Sequence, residues 1–186
     1  MMRTHAAFFF LTLVCVGLFG RLILHLPNAT PITAIALTAG IYLGWRFALL
    51  APLLALFISD MLIGFYDVGI MLSVYGSFAV IGLLSGMYAR RNKFRESALI
   101  VLGSSMFFFL TTNFAVWLFS PWYAKTLEGL LLSYTLGLPF MRNMLIGDVA
   151  YSVALVSVIE TAIFFLARGA LTKKRREISS VGGCVP

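Results

Sequence analysis

The sequence is short of charge. Lys, Arg, Asp and Glu together make up 11% of its 186 residues, against about a quarter in soluble globular domains, and this shortage excludes an ordinary soluble fold. Histidine occurs only at positions 5 and 25, so no pair sits on one helical face in the manner of HExxH. The two cysteines, Cys15 in an apolar run and Cys184 near the end, build neither a disulfide framework nor a cysteine metal cage. There is no P-loop and no GxSxG. A chain without these motifs is expected to be no enzyme, to hold no metal or cofactor, and to bind, conduct passively or borrow energy from a partner.

What the sequence does have is apolar length. It is 61% hydrophobic with a mean hydropathy of +0.98, which points to an integral membrane protein. At about 20 residues per crossing the chain holds at most seven or eight spans and no soluble domain beside them. The expected division is a membrane domain over residues 1–170 and a basic, disordered tail over 171–186.

The first apolar run, residues 6–24, is too long for a signal-peptide core and lacks a small-x-small cleavage site, so it reads as a retained helix. In HLPNATP, Thr30 followed by Pro31 reads as an N-cap with proline in the first turn. A second, short helix is expected over 31–44. Asn28 and Thr30 also match a glycosylation triplet, but with Pro31 directly after it capping is the better account. Further spans are expected over 47–66, kinked at Pro52, then 70–88 and 97–119. Residues 120–141 hold SPWYAKTLEG and an apolar LLLSYTLGLPF, read as a re-entrant or interfacial segment broken at Pro139. A sixth span over 143–167 precedes the tail.

With both ends on one side, that side collects Arg3, Arg46, Arg90, Arg91, Lys93, Arg95, Arg168, Lys173, Lys174, Arg175 and Arg176, leaving Arg21, Lys125 and Arg142 for the other. Eleven against three is a positive-inside pattern. It predicts six crossings in the inner membrane of a bacterium with both termini cytoplasmic. KKRR then reads as a flank facing the lipid bilayer and not as a nucleic-acid site.

In that topology Asp60, Asn113 and Asp148 each fall roughly 8–10 Å inside the outer helix ends, on three different helices. A carboxylate in hydrocarbon costs at least about 2.5–3.5 kcal/mol, so such groups face a cavity, a partner or a pathway. The expected site therefore joins Asp60, Asn113 and Asp148 to Arg142 and Asn143 as polar anchors, with Trp117 and Tyr134 as stacking surfaces. Arg21, His25, Asn28, Thr30, Asp67, Trp122, Tyr123 and Glu128 are its neighbours. A purely architectural alternative stays open, in which Arg142 pairs with Asp148 or Asp60 and the tryptophans form an interfacial belt. Glu160, deeper in the last span, is read as a structural partner of Arg46 or Arg168. Ala36, Gly40 and Gly44 repeat at four-residue spacing and form either an internal packing seam or a docking face.

The segments PNATPITAIALTAGIYLG, LLAPLLALFISDMLIGFY and SPWYAKTLEGLLLSYTLGLPFMRNMLIGDVAYS resemble a group of small bacterial membrane proteins related to the substrate-binding (S) components of energy-coupling factor (ECF) transporters. The resemblance covers about residues 20–165 and is sharpest at 28–32, at Ser59 and Asp60 before Gly64, Phe65 and Tyr66, and from Leu138 through Arg142 and Asn143 to Asp148. It implies an all-α bundle of six transmembrane helices that holds a vitamin-like small molecule near its outer face. Such a component docks on a transmembrane coupling subunit driven by two ATPases. The first helix offers only Ala6 and Ala7 for docking, so Ala36, Gly40 and Gly44 are the candidate docking residues, and a solitary transporter is the other form. The expected function is thus a binding subunit or small transporter for a small polar solute. The alternatives are an assembly protein without a ligand and an enzyme acting on lipid head groups.

Overall fold

The computed structural model describes residues 2–23, 28–89 and 94–181. His25, Arg90, Arg91, Lys93 and Cys184 lie outside the described residues, as do the side chains of Arg3 and of the tail cations Lys173, Lys174, Arg175 and Arg176. The described chain is all helix and turn: α1 (Met2–Ile23), α2 (Ile32–Tyr42), α3 (Trp45–Ile63), α4 (Val68–Tyr88), α5 (Phe94–Phe119) and α6 (Leu127–Val181). Five are long and apolar enough to cross a membrane, and α2 is shorter. This is the composition and helix content of a multi-pass membrane protein.

The chain divides into two compact units, Met1–Ser152 and Val153–Pro186. In the first, the helices alternate in direction. Arg21 meets Leu56, Ser59 and Asp60, and Phe10 meets Phe47, so α1 and α3 run parallel. Tyr75 meets Asp60, and Gly82 meets Ala48, so α4 runs back along α3. Phe78 packs on Phe108 and Gly69 on Phe119, turning α5 back again. Tyr134 bonds Leu110 and Asp148 bonds Ser105, which sets residues 127–152 of α6 antiparallel to α5. Helices α1, α3 and α5 therefore begin at one end of the bundle, the near end, and α4 and α6 begin at the far end.

The centre is α2. Its 11 residues rise about 16 Å, half of a hydrocarbon core, and residues 32–40 are all buried. Small side chains let its neighbours close in. A Cβ on Gly40 would lie 2.6 Å from the Ser85 carbonyl oxygen, and one on Gly82 would lie 2.5 Å from that of Ala48. Gly44, with φ +93°, makes the turn from α2 into α3, a conformation glycine adopts without steric cost. Asp67 starts α4 by accepting hydrogen bonds from the amides of Gly69 (2.9 Å) and Ile70 (3.1 Å), the action of an N-cap. Phe8, Leu11, Met61 and Leu72 leave the bundle's outside apolar, as lipid requires.

Several expectations need correction. The N-cap of α2 is Pro31, with no side-chain cap, and not Thr30; the helix ends at Tyr42. No re-entrant segment separates α5 from the last helix. Helix α6 starts at Leu127 and runs through Pro139 without a break, because a proline in an apolar helix is tolerated where neighbouring groups satisfy the freed carbonyl. Residues 171–181, expected as a disordered tail, continue α6. In the second unit the helix is apolar to Gly169, and the Arg168 guanidinium lies 4.5 Å from the Phe164 ring centre.

Two buried acids in one bundle

Arg21, on the last turn of α1, reaches across to the last turns of α3. Its Nη1 lies 2.6 Å from Asp60 Oδ1 and donates to Ser59 Oγ (2.5 Å) and to the Leu56 carbonyl (3.3 Å). Ser59 in turn donates to Leu56 (2.8 Å), and the Tyr75 hydroxyl donates to Asp60 Oδ2 (2.8 Å). Asp60 is 1% exposed, while the Arg21 side chain keeps 19% of its surface open. Tyr66, on the link between α3 and α4, stands close enough that burial raises its phenol pKa and the negative charge of Asp60 raises it further, against the lowering effect of Arg21. One ion pair thus ties α1, α3 and α4 together near the far end.

Asp148 is buried as deeply but lies elsewhere. Its Oδ2 is 2.7 Å from Ser105 Oγ on α5, and Thr33 of α2 stands beside the same carboxyl. The Thr33 hydroxyl forms no hydrogen bond of good geometry, and neither does the buried Ser152 hydroxyl one turn along α6. No cation among the described residues contacts Asp148. Gly147 lets α6 approach Ala29, since a Cβ there would be 3.0 Å from the Ala29 Cα. The Asp148 centre therefore joins α2, α5 and α6.

The expected single site does not assemble in this form. Asp60 lies three residues from the end of α3, whereas Asp148 lies 21 residues after the start of α6. The shared level inferred from the sequence depended on a last span that begins at Asn143. Asn113 lies eight residues beyond Ser105 on α5, about 12 Å further along the axis, and its Nδ2 donates to the Phe109 carbonyl of its own helix (2.8 Å). Tyr134 donates to the Leu110 carbonyl (3.0 Å) and packs on Phe109. Trp117 Nε1 donates to the Ala124 carbonyl (2.9 Å), and Lys125 donates to the carbonyls of Trp117 and Ser120. Tyr134 thus fastens α6 to α5, and Trp117 and Lys125 fasten the link before α6 to the end of α5. Arg142 is exposed, Asn143 is half-buried, and neither bonds a described side chain. Ala36 is fully buried and Gly40 lies against α4, so both are used inside the bundle as a packing seam; Gly44 serves the turn.

A family model matches residues 2–169, most of the length of the chain. The chain belongs to the family of unknown function DUF6580. The matched stretch contains both acid centres and all six helices up to Gly169, so the Arg21–Asp60 pair and Asp148 both lie within the family's domain. Comparison with curated proteins and with solved structures gives no match in either set.

Sequence reading placed Arg21 only among the neighbours and missed Tyr75, Ser105 and Thr33. Tyr75 carried a usable signal: α3 and α4 are joined by a four-residue link, so the pair is an antiparallel hairpin, and the first two turns of α4, Tyr75 among them, come back alongside the last turns of α3 that hold Asp60. Ser105 and Thr33 are neutral residues in apolar runs and gave none.

Proposed function

We propose that this chain is a membrane-embedded binding subunit or small transporter for a small polar solute that bears a carboxylate or phosphate. It would sit in the bacterial cytoplasmic membrane with both termini cytoplasmic and the far end of the bundle outward. One observation carries the reading. The described residues engage Arg21 through Nη1 alone and leave the Nη2 and Nε edge of a partly exposed guanidinium unused among themselves. That edge is the fork that binds planar anions bidentately, and Asp60, Ser59 and Leu56 hold it in place.

The resemblance to substrate-binding components of energy-coupling factor transporters supports the same class of function, with a coupling subunit and ATPases as partners. Since Ala36 and Gly40 pack inside the bundle, docking would need another surface, and a solitary transporter is the simpler form. The ligand-free reading has its own support in the pair itself, which links three helices whether or not a solute binds. Arg21→Lys separates the two, because it keeps the charge beside Asp60 and deletes the fork. Mass spectrometry of small molecules that co-purify in mild detergent should show an anionic solute with the wild type and its loss from a still monodisperse Arg21→Lys protein. An anion retained by the variant, or absent from both, would favour the assembly role.

A further inference from the structure

Asp148 does none of the work assigned to Arg21 and Asp60, and its surroundings are unusual for a buried carboxyl. It is 2% exposed, its one standard hydrogen bond is to a neutral hydroxyl, Thr33 stands beside the same carboxyl, and neither Thr33 Oγ1 nor the buried Ser152 Oγ one turn along makes a hydrogen bond of good geometry. A fully ionised carboxylate in such a place has only neutral hydroxyls, Ser105 and the neighbouring Thr33, to replace its hydration shell, which is far from sufficient in a bilayer.

The oxygen positions around Ser105 explain how the site copes. Ser105 Oγ lies 2.7 Å from Asp148 Oδ2 and 3.1 Å from the Val101 carbonyl, yet a hydroxyl has one hydrogen to give. If Asp148 is ionised, Ser105 donates to the carboxylate. If Asp148 carries a proton, the acid donates to Ser105 Oγ and Ser105 donates to Val101, and both bonds are made. The same heavy-atom positions serve both states, with only the hydroxyl hydrogen turning.

We propose that Asp148 is a proton-binding site inside the bundle, which takes a proton from the aqueous phase as its carboxylate and returns it, while Ser105 switches its hydrogen bond between Asp148 and Val101. The balance is simple: carboxylate plus one proton gives the acid, and no other bond is made or broken. Among the described residues no charge contacts the site. From α5 the ionisable groups are Arg95 and Glu96, nine or more residues from Ser105; α2 carries only Tyr42; and α6 carries Glu128, Tyr134, Arg142, Tyr151, Glu160, Arg168 and the charged residues 173–177 at other positions of its own helix. None of the described side chains among these contacts Asp148. The inference is independent of the solute reading at Arg21.

Infrared spectra of the purified full-length protein in detergent, taken over a pH series from mildly acidic to alkaline and in heavy water, test it directly. The wild type should show the C=O stretch of a protonated carboxylic acid at neutral pH, where exposed carboxylates are ionised. That band should shift in heavy water, vanish reversibly at alkaline pH and be absent from Asp148→Asn. If Asp148→Asn does not purify, Ser105→Ala decides, since it deletes the acid's acceptor and should move the band's frequency. A neutral-pH spectrum with no acid band, a band unchanged by both substitutions, or a band removed by sodium at fixed pH would overturn the proposal, the last by making this a sodium site.

Discussion

Asp60 and Asp148 are the same side chain at almost the same burial, 1% and 2% exposed, and the bundle treats them in opposite ways. Asp60 has a guanidinium on one oxygen and a phenol on the other, a partner set made for a negative charge. Asp148 has only a serine hydroxyl and a neighbouring threonine, with no cation among the described residues, so little there offsets the cost of burying a charge. Burial therefore does not by itself assign a role to an intramembrane acid. The groups that surround it do, and they come from helices distant in sequence.

The comparison breaks first at Arg21. Arg21→Met leaves a buried carboxylate without its counter-charge, a change that costs about 3–5 kcal/mol in comparable pairs. It should lower the unfolding midpoint in detergent more than any single change at Asp148, Ser105 or Gly40. Adding Asp60→Leu should recover most of that loss, because an ion pair replaced by apolar residues is often close to neutral. A single-variant loss below about 1 kcal/mol would place the pair with weak surface bridges and remove the contrast with Asp148.

A smaller effect is expected at Gly40, and it should fall on one centre only. A side chain there meets backbone atoms of Ser85, and overpacking of that kind costs about 1–3 kcal/mol. Because α2 brings Thr33 to Asp148, Gly40→Leu should destabilise the protein and alter the acid's infrared band, yet leave solute retention at Arg21 unchanged. Loss of both functions together would mean that the two centres form one cooperative unit.

Removing one hydroxyl from each acid sharpens the contrast further. Tyr75→Phe deletes a bond to a charged group and should cost about 1.5–3 kcal/mol, whereas Ser105→Ala deletes a bond between neutral groups and should cost about 0.5–1.5 kcal/mol. Equal losses in chemical denaturation would show Asp148 to be ionised at the pH of the measurement.

The membrane class, four of the five long helices and the alternation of their directions were legible because each rests on local pattern: apolar length, turn residues, and parity. The sequence also marked the right acids, since Asp60 and Asp148 stand out in apolar runs. It misplaced their depths through one error of length. Pro139 reads as a stop, which starts the last helix 16 residues late, at Asn143 instead of Leu127, and puts Asp148 too close to the far end. Which cation answers Asp60 was not legible either. Arg21 and Arg142 were both available, and only the parallel packing of α1 on α3, a long-range fact, chooses Arg21.

The smallest effect is expected where burial alone would suggest the largest. Asn has nearly the volume of Asp and, like a protonated acid, offers both donor and acceptor atoms, so Asp148→Asn imitates the acid state without its proton. Its amide can donate to Ser105 Oγ as the acid would, and Ser105 keeps its bond to Val101. Stability at neutral pH should therefore change by no more than about 0.5 kcal/mol, the range of substitutions that disturb no essential interaction. Asp60→Asn makes the same chemical change beside Arg21, where it removes the counter-charge of a largely buried guanidinium, and should cost about 3–5 kcal/mol. Measured side by side in one detergent at neutral pH, the two variants isolate the surroundings, since residue type, burial and substitution are all held constant. If Asp148→Asn proves as damaging as Asp60→Asn, Asp148 carries a charge in the folded protein, and the two acids differ only in their neighbours' identity and not in their state.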